Sequence, residues 1–328
     1  MTTIMAIEYH FPTNQIFNDP NNKLTKKVGI SSKYIAEKNE TASDLALQAA
    51  EKLFAKGVCK KSEIDFLLFC TQAPDYILPT TACIIQEKLK LPTSCGALDF
   101  NLGCSGFVYG LSLAKGLIES GQAKNVLLLT ADTYSKFIHE NDFSTSLLFG
   151  DAAAATLITE STDRNNLGPF IFGTDGSGAK ELIIFAGGSR EPVDSEALLE
   201  FEDEKGNIRT RSSLYMNGSE VFNFAMREVP KAINDLLTKE NTTLNDYDYF
   251  IFHQANKYML DALRRRMDID KEKFSIQLHD CGNTVSSTIP IALKREIELG
   301  HIKNGDKVLL VGFGVGLSWG VCSIKIRY

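Results

Sequence analysis

The stretch ALDFNLGCSGFVYGL, residues 97–111, decides the fold most directly because a strand passes into a helix there through a glycine-bounded turn. Residues 97–101 are predicted to form the strand, and a helix is expected from Cys104 to about Ser120. One side of this helix carries apolar residues at spacings of four, three and four: Phe107, Leu111, Ala114 and Ile118. The stretch therefore predicts a buried strand and a packed helix, with Cys104 at their junction.

Cys104 is the strongest candidate nucleophile of the chain. A cysteine at a helix N-terminus lies near unsatisfied N–H groups and the positive end of the helix dipole, which favour the thiolate and lower the thiol pKa. Gly103 and Gly106 are expected to let substrate and backbone approach closely. The alternative is a buried structural thiol. The Gly-Cys-Ser-Gly turn after a strand favours the reactive interpretation.

Outward from this stretch, strands and helices alternate in both halves of the chain. In the first half, helices are predicted at residues 41–56 and after Pro79, and strands at 64–70 and 125–131. In the second half the predicted order is strand 249–252, helix 256–267, strand 274–278, helix 287–299 and strand 307–312. This alternation predicts an α/β fold with a mostly parallel sheet, built from a duplicated unit.

The C-terminal residues predict one more strand. Cys322, Ile324, Ile326 and Tyr328 alternate with polar residues, which is the period of a half-exposed strand. This strand comes after the glycine loop at residues 312–316 and is expected to be antiparallel or at a sheet edge.

Length and composition exclude several classes of protein. A chain of 328 residues fits two domains or one duplicated unit, and a net charge of −6 argues against a general nucleic-acid partner. The seven cysteines include no C-x-x-C pair, so no disulfide framework or metal site is indicated. No signal-peptide pattern occurs at the start and no run reaches the roughly 18 apolar residues of a membrane span. A cytoplasmic protein without membrane contact is expected.

Two polar residues in the second half are candidates for chemistry. His253 ends the apolar strand YFIF, and the carboxyl ends of parallel strands are where α/β proteins bind ligands. Asn283 lies in a Gly-Asn turn before a helix. The alternatives are a satisfied structural histidine and an ordinary turn-forming asparagine. Asn256 is a natural cap for the helix that follows His253.

The glycine loop GFGVGLSWG at residues 312–320 does not indicate a dinucleotide cofactor. It departs from G-x-G-x-x-G and leads into a strand rather than a helix. Closely packed glycine amides instead suit an oxyanion site. No cofactor is therefore expected.

Taken together, the motifs resemble β-ketoacyl-acyl carrier protein synthase III of the thiolase-like superfamily. In chain order they are G-C-S-G-F around Cys104, F-G-D at 149–151, H-Q-A-N at 253–256, G-N-T at 282–284 and G-x-G-x-G-x-x-W-G at 312–320. The resemblance implies a five-layered αβαβα fold of two related halves, which we place at residues 1–170 and 171–328, and a homodimer.

The resemblance also implies a mechanism. Cys104 would take an acyl group from a primer thioester, and His253 with Asn283 would bind the malonyl thioester and stabilise the enolate left by CO₂ loss. The amides of Cys104 and Val315 would form a second oxyanion hole. An asparagine cannot act as a base, and its presence where related enzymes carry cysteine or glutamate favours decarboxylation. The implied pathway is fatty acid or related specialised acyl-chain synthesis.

The chain departs from the family where coenzyme A would bind. The N-terminal loop has no Trp, Lys26 and Lys27 precede Gly29, and Tyr258 stands where an Arg is common. An acyl carrier protein is therefore the expected donor. Further candidates for substrate contact are Gly314, Lys257, Arg264 and Arg265.

Three alternatives to condensation are open. An acyltransferase of the same fold would move the acyl group from Cys104 to an alcohol or amine. A cysteine hydrolase would use the same three side chains, although the duplicated pattern argues against it. A non-catalytic partner subunit would normally lack the nucleophile that this chain retains.

Overall fold

The computed structural model describes residues 1–161 and 166–327. The strands are β1 Thr2–His10, β2 Asn14–Phe17, β3 Ser32–Ile35, β4 Phe66–Cys70, β5 Gly96–Phe100, β6 Asn125–Asp132, β7 Ala152–Glu160, β8 Leu167–Thr174, β9 Leu182–Ile183, β10 Phe201–Glu202, β11 Ile208–Arg209, β12 Tyr215–Met216, β13 Tyr249–Phe252, β14 Lys307–Gly314 and β15 Ser318–Lys325. The helices are α1 Lys23–Val28, α2 Ala42–Ala55, α3 Thr81–Leu89, α4 Gly106–Glu119, α5 Phe143–Ser146, α6 Gly218–Glu240, α7 Lys257–Arg266 and α8 Thr288–Glu298.

Local sequence explains where the predicted helices begin and end. Thr41 caps α2 and forms a capping box with Asp44, as the prediction of a helix from residue 41 requires. Asn256 caps α7 by accepting the N–H of Met259. Helix α4 begins at Gly106, two residues later than predicted, so Cys104 lies in the turn before it.

Two mixed sheets form the frame of the molecule. The first has the order β1-β7-β6-β4-β5, in which β4 is parallel to β5 and β6 while β7 is antiparallel to β6 and β1. The second has the order β13-β14-β15-β8, in which only β13 and β14 are parallel. The predicted mostly parallel sheet is therefore wrong. Residues 315–317, which join β14 to β15, are too few for the crossover that parallel strands need.

The helices form three layers around these sheets. Between the sheets, α4 and α8 share one core with β4, β13, β14 and β15. On the outer side of the first sheet, α2 and α3 pack against β4 and β6, and α6 and α7 cover the second sheet. The result is the predicted five-layered αβαβα arrangement, in which the middle helices follow the Cys104 turn and the Asn283 turn.

Two strand predictions are wrong. Residues 274–278 form no strand; Phe274 makes one isolated bridge to Phe250, and the backbone of the segment bonds to the buried side chain of Gln254. The last strand, β15, is antiparallel as predicted but lies between β14 and β8 and is almost fully buried rather than half-exposed. Tyr328, predicted to continue it, lies outside the described residues.

The division into residues 1–170 and 171–328 stays a prediction. The first sheet is drawn from residues 2–160, whereas β8, Leu167–Thr174, runs across position 170 and pairs with β15 of the second sheet. A boundary drawn between the sheets falls before Leu167.

Candidate active site

A small cavity lies where the Cys104 turn, the end of β13 and the Asn283 turn meet. Cys104, His253, Asn283 and Gly314 all line it. Its apolar wall comes from both halves of the chain: Leu148, Phe149, Leu182, Met216, Val221, Ala255, Met259 and Phe313. The structure thus brings the three side chains predicted from separate motifs into one enclosed space.

Cys104 is buried, with only 4% of its surface exposed. Burial raises the pKa of its thiol to about 12, and the Asp132 carboxylate adds to the effect. The backbone N–H groups of Val315 and of Cys104 itself oppose this rise by bonding to the sulfur. The expected low pKa of the thiol is therefore wrong, because burial outweighs the effect of the helix N-terminus.

Glycines shape the surroundings of the thiol. A Cβ on Gly314 would lie 2.7 Å from Cys104 Sγ, so only glycine fits against the sulfur. A Cβ on Gly103 would lie 2.4 Å from Gln72 Oε1, and one on Gly106 would lie 2.2 Å from Cys70 Sγ. Gly103 and Gly106 are thus needed for the close packing of neighbouring side chains around the turn.

His253 is a buried, neutral imidazole. Burial lowers its pKa to about 3. Its Nδ1 lies 2.7 Å from Thr288 Oγ1, and that hydroxyl also lies 3.1 Å from the carbonyl oxygen of Val285. The Thr288 hydroxyl has only one proton to donate. When that proton is donated to His253 Nδ1, the imidazole carries its own proton on Nε2, and Nε2–H is then a hydrogen-bond donor. The rings of Phe313 and His253 are nearly perpendicular, with their centroids 5.6 Å apart.

Asn283 is fixed on both its backbone and its side chain. Its N–H donates to Leu148 O at 2.8 Å, and its carbonyl accepts the N–H of Gly150 at 3.1 Å. Its Oδ1 accepts the N–H of Val285 at 2.9 Å. This last bond orients the amide, because it assigns Oδ1 to the turn and leaves Nδ2 as the free donor group.

The F-G-D motif at residues 149–151 packs against the Asn283 turn and holds it in place. A Cβ on Gly150 would lie 2.2 Å from the carbonyl oxygen of Cys281, so the close approach requires glycine. Asp151 is fully buried and accepts the N–H groups of Ala36 at 2.8 Å and Ser135 at 3.1 Å. The motif holds the turn and contributes only Phe149 to the cavity wall.

Comparison with known proteins agrees with this geometry. The family models described as "3-Oxoacyl-[acyl-carrier-protein (ACP)] synthase III" and as its C-terminal part match residues 98–176 and 237–326. The β-ketoacyl-[acyl-carrier-protein] synthase III of Clostridium tetani is 37% identical, over 95% of this chain and 92% of that protein. The chain belongs to the β-ketoacyl-acyl carrier protein synthase III family.

Solved structures of synthase III proteins have the same fold. A 2.1 Å crystal structure of a 3-oxoacyl-(acyl-carrier-protein) synthase III superposes with a TM-score of 0.97 at 49% identity, covering 99% of both chains. The 3-oxoacyl-(acyl-carrier protein) synthase of Burkholderia xenovorans gives 0.91 at 36% identity, covering 99% of this chain and 94% of that one. The predicted thiolase-like fold and the predicted class of enzyme, a condensing acyltransferase, are confirmed.

The basic residues proposed for a synthase III donor do not line the cavity. Lys257 lies in the first turn of α7, beside the cavity residue Asn256, and pairs with Asp261. Arg264 donates to the carbonyl of Ile269 at 2.9 Å and so closes the end of the helix. Arg265 is exposed about 12 Å further along the helix axis than Lys257.

Sequence reasoning missed the residues that support the three catalytic candidates. Thr288 behind His253, Val285 beside Asn283 and Asp132 near Cys104 were assigned no role. Asp132 did carry a usable signal, since it is an acidic residue at the carboxyl end of an apolar strand.

Among the described residues, no group of three or more His, Cys, Asp or Glu could hold a metal, and no helix is long and apolar enough to cross a membrane.

Proposed function

We propose that this protein condenses an acyl thioester with a malonyl thioester, with loss of CO₂, in fatty acid or related specialised acyl-chain synthesis. One observation carries the proposal: Cys104, His253 and Asn283 line one cavity, with the amide of Asn283 oriented by the N–H of Val285. A nucleophile and two neutral donors in one enclosed space are the groups that such a condensation requires.

In the first half-reaction, Cys104 Sγ attacks the acyl carbonyl of the primer thioester and keeps the acyl group. The C–S bond to the carrier breaks, and the carrier's sulfur leaves as a thiol with the proton that Cys104 gives up. Because the pKa of the thiol is about 12, its proton leaves during the attack rather than before it. The backbone N–H groups of Val315 and Cys104, which already point at the sulfur, stabilise the tetrahedral oxyanion.

In the second half-reaction, the C–C bond to the malonyl carboxylate breaks and CO₂ leaves. The electron pair enters the thioester enolate, whose oxygen accepts from His253 Nε2–H and Asn283 Nδ2–H. This role requires the imidazole proton on Nε2, with the Thr288 hydroxyl donating to Nδ1 rather than to the carbonyl oxygen of Val285. The enolate carbon then attacks the acyl-Cys104 carbonyl, and the thiolate is released as the leaving group.

The test is the mass added to Cys104 on incubation with a panel of acyl thioesters, followed by CO₂ release from a malonyl thioester. We expect acyl labelling that Cys104→Ala abolishes and that Cys281→Ala, at another buried cysteine, leaves intact. Labelling that survives Cys104→Ala contradicts the proposal. If the acyl group is transferred to an alcohol or amine and no CO₂ is released, the protein is an acyltransferase and not a condensing enzyme.

We further propose that an acyl carrier protein, rather than coenzyme A, delivers the acyl group. Lys27 Nζ lies 4.2 Å from the ring centroid of Tyr258, and this ring also packs against Phe222, so Lys27 lies over one face of a side chain that is 48% exposed. Lys257 is exposed beside Asn256 at the cavity. A carrier protein is acidic and needs a cation near the entrance, but it needs no surface for an adenine.

Comparing kcat/KM for matched acyl-carrier and acyl-CoA donors tests this preference. We expect the carrier to be preferred and Lys257→Glu to raise its KM. Lys271→Glu, a charge reversal at an exposed lysine on a separate turn, serves as the control. Equal kcat/KM for both donors, with no effect of Lys257→Glu, would contradict the assignment.

The assembly we propose is a homodimer in the cytoplasm. Tyr76, Ile77 and Leu78 form one exposed apolar run, with Ile77 97% exposed, and β5 is an unpaired edge of the first sheet. Seven free cysteines suit a reducing compartment. Light scattering of the parent and of Ile77→Ser tests the dimer; a monomeric parent contradicts it.

A further inference from the structure

We propose that Asp132 is a positioning residue that holds both His253 and Asn283 in place through residues 284–288, the catalytic turn. The inference rests on the proposed function, because it concerns the two donors that act on the malonyl thioester. Asp132 lies at the carboxyl end of β6, in the first sheet, whereas the catalytic turn belongs to the second half of the chain. The proposal therefore assigns one buried carboxylate the task of coupling the two halves.

Asp132 is fully buried and both its oxygens accept hydrogen bonds. Oδ1 accepts the N–H of Gln72 at 2.8 Å, and Oδ2 accepts both the N–H of Ser286, at 3.2 Å, and the hydroxyl of Ser286. Next along the turn, the hydroxyl of Ser287 donates to the carbonyl of Thr130 at 2.9 Å. Two consecutive residues of the catalytic turn are thus fastened to the end of one strand.

The catalytic turn needs such fastening because its backbone is unusual. Val285 has a φ of +53°, in the left-handed region that a β-branched residue rarely occupies. A backbone of this kind persists only where its surroundings fix it. The residue directly after Val285 is Ser286, whose N–H and hydroxyl both bind Asp132.

The same turn supports both proposed donors. The N–H of Val285 binds Asn283 Oδ1 at 2.9 Å, and Thr288 Oγ1 lies 2.7 Å from His253 Nδ1. The amides that bond to the sulfur, those of Cys104 and Val315, belong to other segments. Releasing the turn should therefore damage decarboxylation much more than acylation of Cys104.

Two variants test this, each measured for acyl transfer to Cys104 from an acyl-carrier thioester and for CO₂ release from a malonyl-carrier thioester. Asp132→Ala removes both acceptors and should lower kcat for CO₂ release about 10- to 100-fold. Ser286→Ala removes one donor and should lower it about three- to tenfold. Acyl transfer should be largely retained in Ser286→Ala and should not fall in Asp132→Ala, because the Asp132 carboxylate raises the pKa of the Cys104 thiol.

Asp99→Ala is the matched control, since its carboxylate also accepts two backbone N–H groups, from Thr81 and Ala82 at 2.6 Å each, away from the cavity. It should change stability without separating the half-reactions. If Asp132→Ala does not fold, Ser286→Ala decides the question alone. Parental CO₂ release in Ser286→Ala, or equal losses in both half-reactions, would overturn the positioning role.

His253→Ala and Asn283→Ala, measured beside these variants, separate the two claims. If both lower CO₂ release while Asp132→Ala and Ser286→Ala do not, only the positioning role is wrong. If neither His253→Ala nor Asn283→Ala lowers CO₂ release, the proposed function itself is wrong.

Discussion

At the scale of single residues, the state of the Cys104 thiol has a direct consequence for its reactivity. With a pKa of about 12, the thiolate fraction rises tenfold per pH unit across the whole working range. We expect the rate of Cys104 alkylation by iodoacetamide to keep rising with pH from 6 to about 9.5. The rate is measured by peptide mass after digestion, which separates Cys104 from the exposed Cys83 that serves as the internal control. A plateau at Cys104 below about pH 8 would show that the thiolate is stabilised after all.

Gly314 offers a second test at this scale. Gly314→Ala places a methyl group 2.7 Å from Cys104 Sγ, so the thiol must move, and acylation should fall about 10- to 100-fold. Gly116→Ala is the control, because a Cβ there meets nothing within 4 Å and lies in α4. It should raise the melting temperature slightly and leave acylation unchanged. If Gly314→Ala is acylated at the rate of the parent, the site accommodates a methyl group beside the Cys104 sulfur and glycine is not required there.

The sequence identified the catalytic candidates but not their electrostatics. Cys104, His253 and Asn283 are recognisable because each follows a strand or forms a glycine turn in a distinct motif. Their protonation depends on burial, which is set by side chains far away in the sequence. The helix N-terminus at Cys104 predicts a low pKa, and only the folded chain reveals that burial raises it to about 12.

At the scale of elements, segments with strong local signals were predicted and weakly marked ones were not. Helix α2 has a capping box and an apolar stripe, and β13 was predicted with its observed bounds. Neither β7 nor the 23-residue α6 is predicted from the sequence. The segment AAAATLITE of β7 is rich in alanine, a poor strand former, and α6 contains Pro230. Tertiary packing decides these segments.

The mistaken strand at residues 274–278 leads to a prediction about Gln254. Its Oε1 accepts the N–H of Gln277 at 2.7 Å, and its Nε2 donates to Phe252 O at 2.6 Å, so this side chain replaces a neighbouring strand. Gln254→Ala leaves these buried groups without partners and should lower the free energy of unfolding by about 1–3 kcal/mol. Urea denaturation measures it, with the exposed Gln122→Ala as control. Equal free energies of unfolding for the parent and Gln254→Ala would show that residues 274–278 do not depend on the Gln254 side chain.

At the scale of the whole molecule, the repeated alternation of strands and helices can be predicted from the sequence, whereas the directions of the strands within each sheet cannot. Strand–helix alternation recurs in both halves, and the middle helices α4 and α8 follow the Cys104 turn and the Asn283 turn. The sheets are nevertheless mixed, because the direction of a strand depends on how its connection packs, not on its residues. The candidate active site likewise forms only in the folded molecule, with Cys104 from one half of the chain and His253 and Asn283 from the other.

The central claim is that Cys104 carries the acyl group while His253 and Asn283 serve decarboxylation. The most direct test is to measure acylation of Cys104 and CO₂ release from a malonyl thioester separately in His253→Ala and Asn283→Ala. Loss of one oxyanion donor should lower CO₂ release by about 10²- to 10³-fold, with acylation still measurable. Loss of acylation with CO₂ release intact, in either variant, would contradict the account.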